Sequence, residues 1–146
     1  MFKIIRRLFI LLIVVSSATA NADLAIIVHP DYQGGELNQE MIKNIFLGTV
    51  TEFPSGHTAI PANHSVGSAD RKHFFEYVLE MGETQHKRYW QRKASVGKKG
   101  KPLEVDSRAE VLDWIAKTPL GISYIDKSKV NDSVKVIYTV LVFDDL

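Results

Sequence analysis

The order of apolar and polar residues divides the chain into short segments of two kinds. Leu24 to His29 (LAIIVH) is continuously apolar and rich in β-branched residues, which predicts a buried strand ended by Pro30. After the polar loop Asp31–Glu36, Asn38 is a good N-cap, with Leu37 and Ile42 placed as a hydrophobic staple. Met41, Ile42, Ile45 and Phe46 recur at helical spacing, and Gly48 is the expected C-cap of a helix of about nine residues. Thr58–Ala62 (TAIPA) predicts a short strand, although Pro61 limits its pairing. Asn63–Gly67 (NHSVG) reads as a turn into a helix capped by Ser68, striped by Phe74, Phe75, Val78 and Leu79 and ended by Gly82. A further helix covers Thr84–Ser95, with Tyr89 and Trp90 read as core anchors rather than a ligand platform.

A loop from Val96 to Pro102 follows. Ser107 and Glu110 have capping-box spacing and open a helix burying Val111, Leu112 and Ile115, which stops at Thr118-Pro119. Gly121–Asp126 (GISYID) is a strand, and Val134–Phe143 is a longer one, most simply a central core strand. Strands alternating with helices predict an α/β fold with a mostly parallel sheet flanked by helices.

Composition narrows the class. With 146 residues, 45% hydrophobic and 24% charged, one ordinary globular domain is expected rather than a disordered tail, a coiled coil or a polytopic membrane protein. Cysteine is absent, which excludes disulfides, Cys-based zinc sites, thiol nucleophiles and a lipid-modified N-terminal cysteine. The first 22 residues read as a secretory signal peptide. Lys3, Arg6 and Arg7 precede the apolar run Leu8–Val15, and two A-x-A patterns (Ala18-Thr19-Ala20 and Ala20-Asn21-Ala22) follow. The expected product is a periplasmic domain spanning residues 23–146 with no membrane span. The leader holds three of the 18 cations and none of the 17 acids, so the rest carries 15 against 17, net −2, where the whole chain is +1.

That near-balance is unevenly spread. Lys87, Arg88, Arg92, Lys93, Lys98, Lys99 and Lys101 fall between Thr84 and Leu103 with no acid among them. Such a basic surface suits an anionic ligand, lipopolysaccharide or an acidic partner, or is simply a solvated face. Export and the net charge speak against nucleic acid. The five histidines (29, 57, 64, 73 and 86) form no metal-ligand spacing, no nucleophile elbow is present, and neither a P-loop nor a dinucleotide fingerprint occurs. A non-enzymatic protein without metal or cofactor is expected.

The segment with most chemical content is Ala62–Phe75. A strand passes through a Gly-containing turn into a Ser-capped helix carrying Arg71 and Lys72 in its first turn. Unpaired N–H groups and the helix dipole make that end an anion seat, where two cations make sense if an anion sits nearby. The plainer alternative is that Ser68 merely caps the helix, Asp70 satisfies the dipole and Arg71 is solvated.

Several short motifs, in order, resemble phosphate-type periplasmic solute-binding proteins. Ile45-Phe46-Leu47-Gly48 is similar to the family's "IFxG". Ile60-Pro61-Ala62 is similar to its "I-P-V" strand, and Gly67-Ser68-Ala69-Asp70 before Phe74 to its "GSGT" turn. Trp90 with Ala94-Ser95-Val96-Gly97, and Pro119-Leu120-Gly121-Ile122-Ser123-Tyr124, resemble its later elements. The resemblance spans about Ile26 to Ile137 and implies one lobe of a two-lobed clamp. It also implies a small oxyanion, phosphate first, held by Ser68, the N–H groups of Ala69 and Asp70, and Arg71, with Ser65 and Asn63 as secondary contacts. Asn63 or His64, and Val66, stand where the family carries an Arg and an Asp, and Ala69 and Asp70 replace its second Gly and Thr. The competing expectation is an envelope interaction module, dimerising or docking through the basic Lys87–Lys101 region, with Val134–Phe143 as an exposed edge strand.

Overall fold

Strand β1 (Leu24–Val28) is buried along its whole length because helices cover both of its faces. Leu24, Ile26 and Val28 point into the larger core, under helices α1 (Gln39–Phe46) and α2 (Ala69–Phe74). Ala25 and Ile27 point the other way, against Val111 and Ile115 of α4 (Arg108–Lys117). The computed structural model describes residues 23–143; the expected signal peptide lies outside them. Among the described residues no helix is long and apolar enough to cross a membrane.

The remaining elements are β2 (Ile60–His64), α3 (Glu83–Ser95), β3 (Leu103–Val105), β4 (Gly121–Asp126) and β5 (Lys135–Val140). The five strands form one sheet in the order β3-β2-β4-β1-β5. β2 is parallel to β3 and to β4, whereas β1 is antiparallel to β4 and to β5. Four strands thus share one direction and β1 alone opposes them. β1 opposes β2 although α1 lies between them, so helix–strand alternation alone does not fix its direction; its pairing with β4 and β5 does. The α/β class holds, and the sheet is mixed.

Local signals place most helix ends. Asn38 Oδ1 accepts from the Met41 amide at 2.9 Å, and Leu37 and Ile42 are both buried. Met41, expected in the stripe, is exposed; Ile42, Ile45 and Phe46 form the buried face. Ser107 Oγ accepts from the Glu110 amide, while the Glu110 carboxylate accepts from the Asp106 amide. The helix begun at Ser68 does not run uniformly to Gly82. It widens into a π-helical turn, Phe75–Leu79, ends at Glu80 in a left-handed conformation (φ 56°), and Gly82 caps α3 instead.

Two strand expectations are corrected. β2 lies two residues later than the TAIPA reading, because Asn63 and His64 are paired within the core rather than turned to solvent. Pro61 is accommodated because β3 pairs only with Ala62–His64, so Pro61 has a single neighbour, β4. The last strand is shorter than Val134–Phe143 and forms the sheet edge, not its centre. β3, only three residues long, has no signal in the hydrophobic pattern.

Candidate functional site

β2 delivers the chain into the turn Ser65–Ser68, where Gly67 takes φ 93°, a conformation that strains any residue with a Cβ. Ser68 then caps α2, its Oγ accepting from the Arg71 amide at 3.3 Å and its carbonyl from the Lys72 amide. The Ala69 and Asp70 amides precede the first intrahelical bond and have no partner within the helix. A cleft of about 970 Å³ opens beside this turn. Val66, Gly67, Ser68, Ala69 and Lys72 line it together with Phe75, Met81 and the carboxylate-bearing Glu76, Glu80 and Glu83.

Of the three charged residues in the first turn, Asp70 and Arg71 do not face this cleft; Lys72 does. Asp70 is buried and takes two bonds from Arg108, Nε at 2.9 Å and Nη2 at 2.8 Å, with a third from the Asp126 amide at 3.2 Å. Burial alone would raise its pKa; the Arg108 bonds, the Asp126 amide and the Arg108 charge outweigh burial and hold it below the ordinary carboxylate value. Arg71, 3% exposed, turns to a different set of partners. Its Nε and Nη2 clasp Glu83 at 2.6 and 2.9 Å, and Nη1 donates to the His64 carbonyl at 2.8 Å and to Glu104 at 3.3 Å. The guanidinium also lies 4.5 Å from the centre of the Phe75 ring. Arg71 is therefore committed to two carboxylates and a carbonyl and is not free as the expected anion partner; the cation at the rim of the cleft is Lys72.

Of the six seat residues expected from sequence, Ser68 and Ala69 line the cleft. Asn63 is buried in β2, its Oδ1 accepting from the Tyr124 hydroxyl at 2.9 Å, and the Ser65 amide donates to the Val105 carbonyl. Tyr124 organises the floor beneath the turn. Its ring stacks on Phe74 at 4.0 Å and on His64 at 4.8 Å, and its hydroxyl, kept protonated by burial, also accepts from the His64 amide. His64 Nε2 lies 2.5 Å from the Tyr124 carbonyl, which can only accept, so the proton sits on Nε2. Burial lowers the His64 pKa and keeps the ring neutral.

The sequence did not reveal Arg108, Glu83 or Glu104 as partners of this turn. They lie 38, 12 and 33 residues away from the residues they pair with, beyond any local spacing rule. The basic region is also divided. Lys93 donates to the Leu47 carbonyl at 2.7 Å and lies over the Tyr89 and Trp90 rings, whereas Lys87, Arg88, Arg92, Lys98, Lys99 and Lys101 are exposed.

α3 docks through His86 and Trp90. His86 is buried against Phe75, and its Nε2 accepts from Trp90 Nε1 at 3.2 Å. Burial, then the nearby Arg71 charge, lowers its pKa to about 4. The folded value is below the unfolded one, so the unfolded chain binds the extra proton and stability falls as pH drops from about 6.5 towards 4. Urea titrations at pH 7 and pH 4 should differ by about 2–3 kcal/mol from this group. His86→Gln, which retains an acceptor for Trp90, should reduce that difference.

No family model matches the chain. Solved structures do resemble it in fold. A phosphate ABC transporter substrate-binding protein from Clostridium perfringens, with phosphate bound, aligns over 80% of this chain and 45% of its own at 20% identity, TM-score 0.63. An ABC-type phosphate transport receptor from Vibrio cholerae aligns over 80% and 46% at 17% identity, TM-score 0.62. PstS from Borrelia burgdorferi aligns over 80% and 47% at 16% identity, TM-score 0.57. The chain thus has the α/β fold of a lobe of periplasmic-binding-protein type. It spans a little under half the length of these structures.

Proposed function

We propose that this chain is an exported, non-catalytic solute-binding lobe, residues 23–146, that holds a small oxyanion, phosphate first, at the Gly67–Asp70 turn. The observation that carries this reading is the turn itself. A glycine-bent strand-to-helix junction presents Ser68 and Ala69, whose amide is free of an intrahelical bond, beside an open cleft that Lys72 also lines. The names of the structurally similar proteins support phosphate over other oxyanions. Asp70 need not repel the ligand, because Arg108 neutralises its carboxylate on the far side of the helix. Arg71 acts from behind, fixing the turn between α3 and β3.

An open, solvated seat pairs few groups with its ligand, so affinity on the order of 1 mM is expected. Isothermal titration with phosphate, sulfate and small carboxylates tests it. Phosphate should bind the wild type, and Lys72→Glu should abolish the heat. Ser68→Ala should weaken binding severalfold while costing about 1 kcal/mol of stability through the lost cap. No binding at millimolar anion, or binding unchanged in Lys72→Glu, would overturn the assignment.

The place of β5 supports a second reading, a docking module. It is the sheet edge, with Val136, Leu141 and Phe143 exposed along or just beyond it. A dimer mass by light scattering, lost in Val136→Lys, would favour that reading.

A further inference from the structure

The exposed cations of α3 and the loop behind it have no role in the cleft. Lys87, Arg88 and Arg92 fall within one arc of α3, opposite the buried His86, Trp90 and the engaged Lys93. The chain then leaves α3 through the loop 96–102, bent at Gly97 (φ 74°) and Gly100 (φ 109°), which adds Lys98, Lys99 and Lys101. Among the described residues none of these six pairs with a carboxylate, whereas Lys43, Arg71, Arg108 and Lys117 all do.

Exposed apolar side chains accompany the cations. Val96, in the loop, is 70% exposed, and Leu103, the first residue of the edge strand β3, is 52% exposed. Beside Leu103 a hollow of about 210 Å³ is walled by Val50, Ile60 and Pro61 and closed by Gly100 and Lys101. We infer that this face, from Lys87 to Leu103, docks on an anionic phospholipid surface, the lysines meeting headgroup phosphates while Val96 and Leu103 enter the headgroup–acyl boundary.

The composition of the face favours a lipid surface over an acidic protein. Four of the six cations are lysines, a residue depleted in protein interfaces. Lysines interspersed with shallow apolar groups are the pattern of interfacial membrane binding. This inference is independent of the cleft.

The test is co-sedimentation of protein recovered from the periplasmic fraction of cells exporting the full chain. Vesicles of phosphatidylglycerol mixed with phosphatidylcholine are compared with phosphatidylcholine alone. Binding to the anionic vesicles only, weakened by salt, is expected. The triple variant K98E/K99E/K101E should lower partitioning by about a hundredfold or more, and Leu103→Ser by about fivefold. Inorganic phosphate at matched ionic strength should not displace the protein, which separates lipid headgroups from a free-phosphate site. Thermal melts of the variants should match wild type, since the replaced side chains are exposed. Equal binding to both vesicle types, binding unchanged by charge reversal, or capture by an acidic polypeptide with no vesicle binding would each overturn the inference.

Discussion

Arg71→Ala is expected to destabilise the protein by about 3 kcal/mol, lowering the melting temperature by about 10 °C. The guanidinium is buried and joins three segments: Glu83 at the start of α3, Glu104 in β3 and the His64 carbonyl at the end of β2. Removing it leaves that carbonyl without the donor and two carboxylates without their shared counter-charge. Glu83 and Glu104 are 46% and 47% exposed at the side chain, so water partly replaces the lost partner, which holds the cost to the lower end of the range for a broken buried pair. Arg71→Lys should recover little, because one ammonium cannot reproduce a bidentate clasp and two further bonds together. Glu83→Gln should cost about 1 kcal/mol, since it removes charge from a half-exposed partner only. Urea unfolding of the three variants measures the series. A cost below about 1 kcal/mol for Arg71→Ala, with phosphate binding abolished, would return Arg71 to the ligand role that its position in the first turn suggests.

The contrast between those two roles marks where sequence reading stops. Helix starts at Asn38, Ser68 and Ser107 were legible because capping is a rule over three residues, and each hydroxyl or amide oxygen accepts the expected amide. The burial of β1 was legible because a run of apolar β-branched residues has few alternatives in a domain this size. The position of β2 was not, because Asn63 and His64 read as a turn locally and are strand residues here through pairing with Glu104 and Val105 of β3 and bonds to the Tyr124 hydroxyl, all remote in sequence. The direction of β1 and the edge position of β5 are likewise settled by pairing between distant segments. In the site, the turn, Ser68 and Gly67 were legible. The orientation of Asp70 and Arg71 was not, since adjacent helical residues differ by about 100° and only remote partners decide which way each charge goes.

Asp70→Ala is expected to cost about 2 kcal/mol, less than a fully buried pair because the Arg108 left behind is 41% exposed, and its dependence on pH identifies the cause. The Asp70 carboxylate joins α2 to α4 through Arg108 and to β4 through the Asp126 amide, with His64 Nδ1 4.0 Å away. Its folded pKa lies below the unfolded value, so the stability it contributes is complete above about pH 4 and is lost as pH falls through the folded value. The wild-type advantage over Asp70→Ala should therefore shrink on acidification, a comparison in which the His86 contribution is common to both proteins. Arg108→Ala should shift in the same sense, starting from a higher pH. Without the guanidinium, burial dominates and raises the Asp70 pKa, so this variant gains relative to wild type as the carboxyl takes up its proton. The double variant should cost clearly less than the two single changes added, because each single change already breaks the pair and Arg108→Ala alone leaves a buried charge uncompensated. Additive costs, or an Asp70→Ala penalty that does not change with pH, would mean that the pair does not hold α2 against α4, and the orientation of the Ser68 turn would then need another support.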